Sequence, residues 1–243
     1  MMFPATRSPR VVGIGEILWD LLPDGKQPGG APANFAFHAH SLGARTALVS
    51  AVGDDALGRD ILGRLDGWGI DRRTVAVLPG HPTGTVSVTV DDHGVPRYVI
   101  HEDVVWDHIP WSPSLEELAA AADAVCFGTL CRRAPESREA IRRFLAATPA
   151  RCLRVCDVNL RQGHYSAATI VESLDQANVL KLNDEELAIL CPLFGLSGSV
   201  EGILRGLAKR FELQLVALTR GSRGSLLATP LPRSEGRKGS PRR

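Results

Sequence analysis

Gln27-Pro28-Gly29-Gly30-Ala31-Pro32-Ala33-Asn34 is the stretch that decides how this chain is read. Two adjacent glycines let a backbone approach a ligand closely. Pro32 suits the first turn of a helix, and Asn34 then brings an amide near that helix's start. Upstream, Val11-Val12-Gly13-Ile14-Gly15 is a short apolar run bounded by turn signals, which fits a buried strand. Downstream, residues 33–42 read as a helix and residues 45–52 as the next strand. The unit is therefore strand, glycine loop, helix, strand. A dinucleotide fingerprint starting at Gly13 and Gly15 needs glycine three positions further on, where Leu18 stands, and no Gly-Lys-Ser/Thr phosphate loop occurs. What remains is a set of glycines, the Asn34 amide and the nearby Asp20 carboxylate, suited to a polyhydroxylated ligand. The plain alternative is a glycine turn followed by a helix cap.

The same alternation runs through the chain. Leu57, Ile61, Leu65 and Trp68 recur at helical spacing over residues 56–68, and residues 75–78 are again strand-like. The rhythm breaks at Thr85-Val86-Ser87-Val88-Thr89-Val90, which alternates with period two. Asp91 to Gly94 makes a turn, and residues 95–100 return, so this is a β-hairpin with one wet face. It is a candidate lid or subunit contact outside the main sheet. Ser114 with Glu117 reads as a capping box opening the next helix. Strand-like segments follow at 124–127, 153–158, 179–182 and 213–218. Helical segments lie at 135–147, 167–177, 184–194 and 200–211. Such alternation predicts an α/β fold, a mostly parallel sheet with helices on both faces plus a small β lid. Ligands gather at the carboxyl ends of the strands in sheets of this kind.

Composition narrows the function. The 243 residues carry 28 Lys+Arg against 27 Asp+Glu, and 44% are hydrophobic. A net charge of +1 offers no field that argues for nucleic acid. No apolar run approaches the roughly 18 residues of a membrane helix, and Met1 to Arg10 has no apolar stretch of the signal-peptide kind. Cys126, Cys131, Cys152, Cys156 and Cys191 have no C-x-x-C spacing, and four of them lie in or beside apolar runs and read as reduced core thiols, which points to a cytoplasmic protein. From Pro230 onward five basic residues face one acidic, leaving the preceding body at −3. The expected organisation is one α/β domain over residues 11–229, with the lid mainly from 83–107, and a disordered basic tail over 230–243.

Several further motifs complete the picture. Gly30-Ala31-Pro32-Ala33-Asn34-Phe35-Ala36, then Gly43, then Val52-Gly53-Asp54-Asp55-Ala56-Leu57-Gly58, resembles the N-terminal signature of the PfkB-type carbohydrate kinases, the ribokinase-like family. Gly15-Glu16-Ile17-Leu18-Trp19-Asp20 and Asp157-Val158-Asn159-Leu160-Arg161 are similar to segments of its fructokinase branch. Lys181-Leu182-Asn183-Asp184-Glu185-Glu186 resembles its Asn-x-x-Glu motif, and Thr219-Arg220-Gly221-Ser222-Arg223-Gly224 the strand-turn bordering the nucleotide. The resemblance implies ATP-dependent, Mg²⁺-assisted phosphorylation of a small-molecule sugar. It assigns Asp20, Gly30 and Asn34 to sugar hydroxyls, with Asn159 and Arg161 near the sugar and the transferring phosphate. Thr83-Gly84 would border the substrate at the lid's entrance. Asn183 and Glu186 would belong to the magnesium-and-phosphate network, and Thr219, Gly221 and Gly224 would border ATP. The hairpin would close over the sugar or pair two copies into a homodimer. A capping box explains Asn183 and Glu186 equally well. Arg161 then is a solvated loop residue, and Gly221 with Gly224 a hairpin turn. Asp54 and Asp55 orient their turn and cap the next helix.

One family element does not occur in the chain. The second signature, Asp-Thr-x-Gly-Ala-Gly-Asp, supplies a helix-end anion hole and the aspartate that takes the proton from the sugar hydroxyl. Without these parts most of the rate enhancement of phosphoryl transfer is expected to go. The resemblance therefore implies a truncated or frame-shifted kinase with little turnover and weak ATP binding. The alternatives are a non-catalytic sugar-binding or lid-pairing remnant, and a kinase for nucleosides or other small molecules.

Overall fold

A computed structural model of the chain describes residues 7–90 and 96–230. The turn expected at Asp91 to Gly94 and the basic tail beyond Pro230 lie outside the described residues. The chain opens with β1 (Arg10–Ile14), β2 (Leu18–Leu22), β3 (Gly25–Gly29), α1 (Ala31–Ser41), β4 (Arg45–Gly53), α2 (Ala56–Trp68) and β5 (Val75–Leu78). The hairpin strands β6 (Thr85–Val90) and β7 (Pro96–Ile100) follow, then α3 (Pro113–Ala120), β8 (Ala124–Gly128), α4 (Pro135–Ala146) and β9 (Leu153–Asp157). Next come α5 (Ala167–Gln176), β10 (Val179–Asn183), α6 (Asp184–Phe194), α7 (Val200–Arg210), β11 (Leu215–Thr219) and β12 (Ser225–Ala228).

Eight strands form the large sheet in the order β12-β11-β10-β9-β8-β1-β4-β5. All neighbours are parallel except β11 and β12. This bears out the mostly parallel α/β reading. The chain leaves β1 in one direction toward β4 and returns on the other side at β8. The ends of β1 and β8 thus form the switch point where such sheets leave a crevice.

The small sheet runs β3-β2-β6-β7. It contains the expected hairpin, and it is wider than the sequence alone indicated. Residues 18–29 supply its other half, with Asp20 opposite Gln27 in the β2–β3 pair and Trp19 opposite Thr85 in the parallel β2–β6 pair. Lys26-Gln27-Pro28 reads as loop because it lacks strand-type side chains. The β2 partner, not local propensity, makes it a strand.

One helix start differs from expectation. Ser114 and Glu117 do not form a capping box. Pro113 takes the first helical position, so the N-cap is Ser112, which makes no side-chain cap hydrogen bond. Proline's fixed φ and missing N–H favour that first position and override the box two residues later. The expected cap at Asp55 is present, accepting from Gly58 N–H at 2.7 Å. The same carboxylate accepts from the Thr83 hydroxyl at 2.8 Å and Thr83 N–H at 2.9 Å, tying α2 to the entrance of the small sheet.

The two faces of the large sheet are filled differently. On one, Leu180, Leu182, Val216 and Leu218 are fully buried beneath a core that includes Ile170, Leu187, Leu204 and Leu207 from α5, α6 and α7. On the other, α1 packs across β4, β1 and β8, and α2 joins it against β4. Beyond β8, among the described residues, no helix covers that second face. Its side chains Val155, Val179 and Leu215, which stand in register, are only half-buried. Leu153 is 44% and Leu227 69% exposed. Single exposed leucines are common, but adjacent ones along four strands make an apolar patch.

Candidate functional site

The carboxyl ends of β1, β9, β10 and β11 lie along one edge of the large sheet, running out from the switch point. From β1, Glu16 turns inward. Its carboxyl is 1% exposed, and its Oε1 accepts from Ala31 N–H at 3.3 Å. Oε2 has no hydrogen-bond partner among the described residues. Burial pushes this carboxyl up to about 7. Above it lies the Gly29-Gly30 turn. Gly30 has φ +109°, and a Cβ there would stand 2.3 Å from the Glu16 carbonyl oxygen. A Cβ at Gly29 would stand 2.6 Å from Asp20 Oδ2. Gly30 is therefore required by close approach to backbone, whereas Gly29 leaves room for the Asp20 carboxylate, a side chain that could shift. Burial raises the Asp20 carboxyl above its ordinary value, while the Arg161 guanidinium opposes the rise. Asn34 is exposed on the first turn of α1.

At the end of β9, Asp157 accepts from Lys181 Nζ at 3.1 Å. Its carboxyl is also raised by burial, against the opposing charges of Lys181 and Arg161 and the Asn159 N–H. Arg161 therefore stands in the field of both Asp20, on the small sheet, and Asp157, on the large one. Asn159 holds φ +40°, which turns the chain sharply after β9. Asparagine tolerates this region better than most residues.

Asn183 and Glu186 do form the capping box at the start of α6: Asn183 Oδ1 accepts from Glu186 N–H at 2.9 Å, and Glu186 Oε2 from Asn183 N–H at 2.8 Å. The box has a third member. Glu186 Oε1 accepts from Leu160 N–H at 3.0 Å. This carboxylate, 4% exposed, thus pins the loop carrying Asn159 and Arg161 to the end of β10. Burial raises its pKa, and the Asp157 charge adds to the effect.

At the sheet's edge, Thr219 ends β11 and its hydroxyl donates to the Leu182 carbonyl at 3.3 Å. Gly221 and Gly224, at φ +55° and +77°, make the turn into β12. A Cβ at either would meet nothing within 4 Å, so this turn faces open space.

The structure thus sets Arg161 in the field of Asp20 and Asp157, ties the loop carrying Asn159 and Arg161 to Asn183 through Glu186, and leaves Thr219 to Gly224 further along the sheet. Sequence reading missed two charged members. Lys181 carried a signal, a lone cation inside the apolar run Val179-Leu180-Lys181-Leu182. Glu16 carried one too, a carboxylate directly after a buried strand. A cavity of 530 Å³ lies beside this cluster, lined by Asp107, Arg133, Arg138, His164 and Thr169 among others, and includes none of the predicted site residues.

Known proteins share this plan. The profile of the pfkB family carbohydrate kinase matches residues 24–241. Fructokinase-1 of rice (Oryza sativa subsp. japonica) is 30% identical over 239 residues, covering 90% of this chain and 73% of that protein. The putative sugar kinase PH1459 of Pyrococcus horikoshii is 28% identical over 197 residues, 74% of this chain and 63% of that protein. Its structure in complex with ATP matches with a TM-score of 0.75 at 26% identity, covering 91% of this chain and 74% of that one. The fructokinase of Vibrio cholerae O395 with fructose, ADP and calcium ion bound matches with a TM-score of 0.75 at 28% identity, covering 92% and 74%. The chain belongs to the pfkB family of carbohydrate kinases, on its fructokinase branch. It spans 63% and 73% of the length of these two relatives.

Proposed function

We propose that the crevice is the sugar site of an ATP-dependent sugar kinase, and that the 243-residue chain binds sugar through it with little or no phosphoryl transfer. The observation that carries the reading is the Asp20 carboxylate, held over Gly29 and facing the Arg161 charge. A part-buried carboxylate beside a cation can accept hydrogen bonds from two adjacent hydroxyls, which suits a ketohexose better than an apolar ligand. Gly30 keeps the backbone close on one side, and Asn34 and Asn159 add amide donors and acceptors. Arg161 would neutralise a phosphoryl group near the sugar. The likeness to a fructokinase with fructose bound supports fructose as the first sugar to try.

The donor set fits Mg²⁺ held through water. Asp157 and Glu186 are hard oxygen donors, and both Glu186 oxygens already accept backbone N–H groups, which leaves outer contacts rather than direct ligation. When bound, Mg²⁺ would neutralise charge on the nucleotide phosphates. For ATP, Thr219, Gly221 and Gly224 would border one side, and the open space at that turn supports only weak binding by this chain. No Asp-Thr-x-Gly-Ala-Gly-Asp occurs among these 243 residues, and the expectation of little phosphoryl transfer rests on that. The edges of the small sheet, β3 and β7, make it the surface through which two copies would pair. The free thiols, four of them buried, suit a reducing cytoplasm.

A coupled assay of ADP release tests the reading across fructose, other hexoses and nucleosides. We expect no rate above background with the 243-residue chain. Ordinary ATP-dependent phosphorylation of any of them would overturn the second half of the proposal.

A further inference from the structure

Two connections join the large and small sheets, and the second of them carries part of the lining of the 530 Å³ cavity. The outgoing one, after β5, carries His81. The returning one, after β7, carries Asp103 and then the 3-10 turn Val105–His108. The two are already bonded to each other, since Val105 N–H donates to the Pro82 carbonyl at 3.0 Å. At this junction His81, Asp103 and His108 each present a ligand atom, and these atoms lie within 4.8 Å of one another. The imidazoles of His81 and His108 lie 3.9 Å apart at their ring centres. His108 Nε2 is 3.3 Å from Asp103 Oδ1, and its Nδ1 is 3.0 Å from Glu136 Oε2 on α4.

We infer that His81, Asp103 and His108 form a binding site for a divalent transition-metal ion, best fitted by Zn²⁺, which clips together the two connections at the base of the small sheet. Two imidazoles and one carboxylate are the donor set of Zn²⁺ and its neighbours, not of Mg²⁺ or Ca²⁺, which demand oxygen. The Glu136 contact is the second observation. A carboxylate on Nδ1 fixes the imidazole tautomer that leaves Nε2 as a lone pair, the arrangement found behind ligating histidines. Without an ion, a proton on Nε2 lets His108 donate to Asp103 as well as to Glu136; a metal ion would take the place of that Nε2 proton between the two groups. Tetrahedral Zn²⁺ holds its ligand atoms about 3.4 Å apart. The His108–Asp103 spacing already matches. Asp103 is exposed and free to adjust, and the His81 ring must swing so that its lone pair points at the ion rather than alongside its neighbour. A fourth position would be left to water. Bridging both connections would hold the small sheet at one angle to the large one, whatever that sheet covers.

Zn²⁺ titration of the reduced full chain by calorimetry tests this. We expect one saturable site, weakened at least tenfold by His81→Ala and by His108→Ala, and severalfold by Asp103→Asn. Excess Mg²⁺ should not compete. The double variant His38→Ala/His40→Ala, away from this junction, should bind as the parent does. Should either histidine variant fail to fold, Asp103→Asn decides, since its side chain is 87% exposed. Parent-like Zn²⁺ affinity in Asp103→Asn and in the folded histidine variants would overturn the assignment, as would the absence of saturable binding by the parent.

Discussion

Replacing Glu16 by glutamine should stabilise the protein at alkaline pH and leave it nearly unchanged at pH 4.5. The carboxyl is 1% exposed, with one long hydrogen bond from Ala31 N–H and an unpaired Oε2. Its pKa rises from 4.5 to about 7 in the folded chain. At about 1.4 kcal/mol per pH unit, that rise corresponds to about 3 kcal/mol. The sign follows from proton counting. Between pH 4.5 and 7 the folded state holds a proton that the unfolded state has lost, so stability falls as pH rises through this window and stays low above it. Glutamine cannot ionise and escapes the loss. Asp20, Asp157 and Glu186 are also raised by burial but are common to both proteins, so the difference reads Glu16 together with its coupling to the Asp157 charge. Urea unfolding at pH 5, 6, 7 and 8 reads that difference. With a slope of about 2–3 kcal/mol/M, the Glu16→Gln midpoint should lie about 1 M above the parent's at pH 8. Parallel pH profiles, or a glutamine variant that is the less stable at pH 8, would refute the reasoning.

Other substitutions test separate parts of the account. Gly30→Ala drives a Cβ into the Glu16 carbonyl and forces φ +109° on a residue with a side chain. It should cost about 3 kcal/mol or more and abolish sugar binding, as thermal melts and titration would show. Glu186→Ala removes the acceptor of two backbone N–H groups, at Asn183 and Leu160. About 3 kcal/mol should be lost in urea unfolding, and a loss below about 1 kcal/mol would mean the bracket does not hold the loop. Leu227→Lys, on the uncovered face, should change stability by less than about 0.5 kcal/mol and raise the solubility limit. Leu218→Ala, fully buried on the other face of the neighbouring strand, should cost about 2–5 kcal/mol.

Local pattern carried much of the fold. Apolar runs such as Val11 to Ile14 and Leu213 to Leu218 read as strands because their own side chains say so, the second starting two residues early, and α2 was bounded correctly at Ala56 and Trp68. What stayed hidden depended on partners distant in sequence. Gly25 to Gly29 is a strand only because Leu18 to Leu22 lies beside it. Ser114 and Glu117 match a capping pattern that Pro113 pre-empts. In the site, Asp20, Asn159 and Arg161 were legible through motifs that also resemble a known family. Glu16 and Lys181 were not, since their roles lie in burial and in a cross-strand ion pair. Glu186 was legible as a cap, whereas its bond to Leu160 N–H needed the fold. Which strands and which face lack a helix among the described residues, β9 to β12 on the side of Val155, Val179 and Leu215, needed the fold, because strand sequences do not specify it.

The central claim, a sugar site organised around Asp20, is tested most directly by titrating the 243-residue chain with fructose in a calorimeter, alongside Asp20→Asn. The account predicts saturable, one-to-one binding by the parent and at least a tenfold loss in the variant. Absence of binding by the folded parent, or equal affinity in the two proteins, would contradict it.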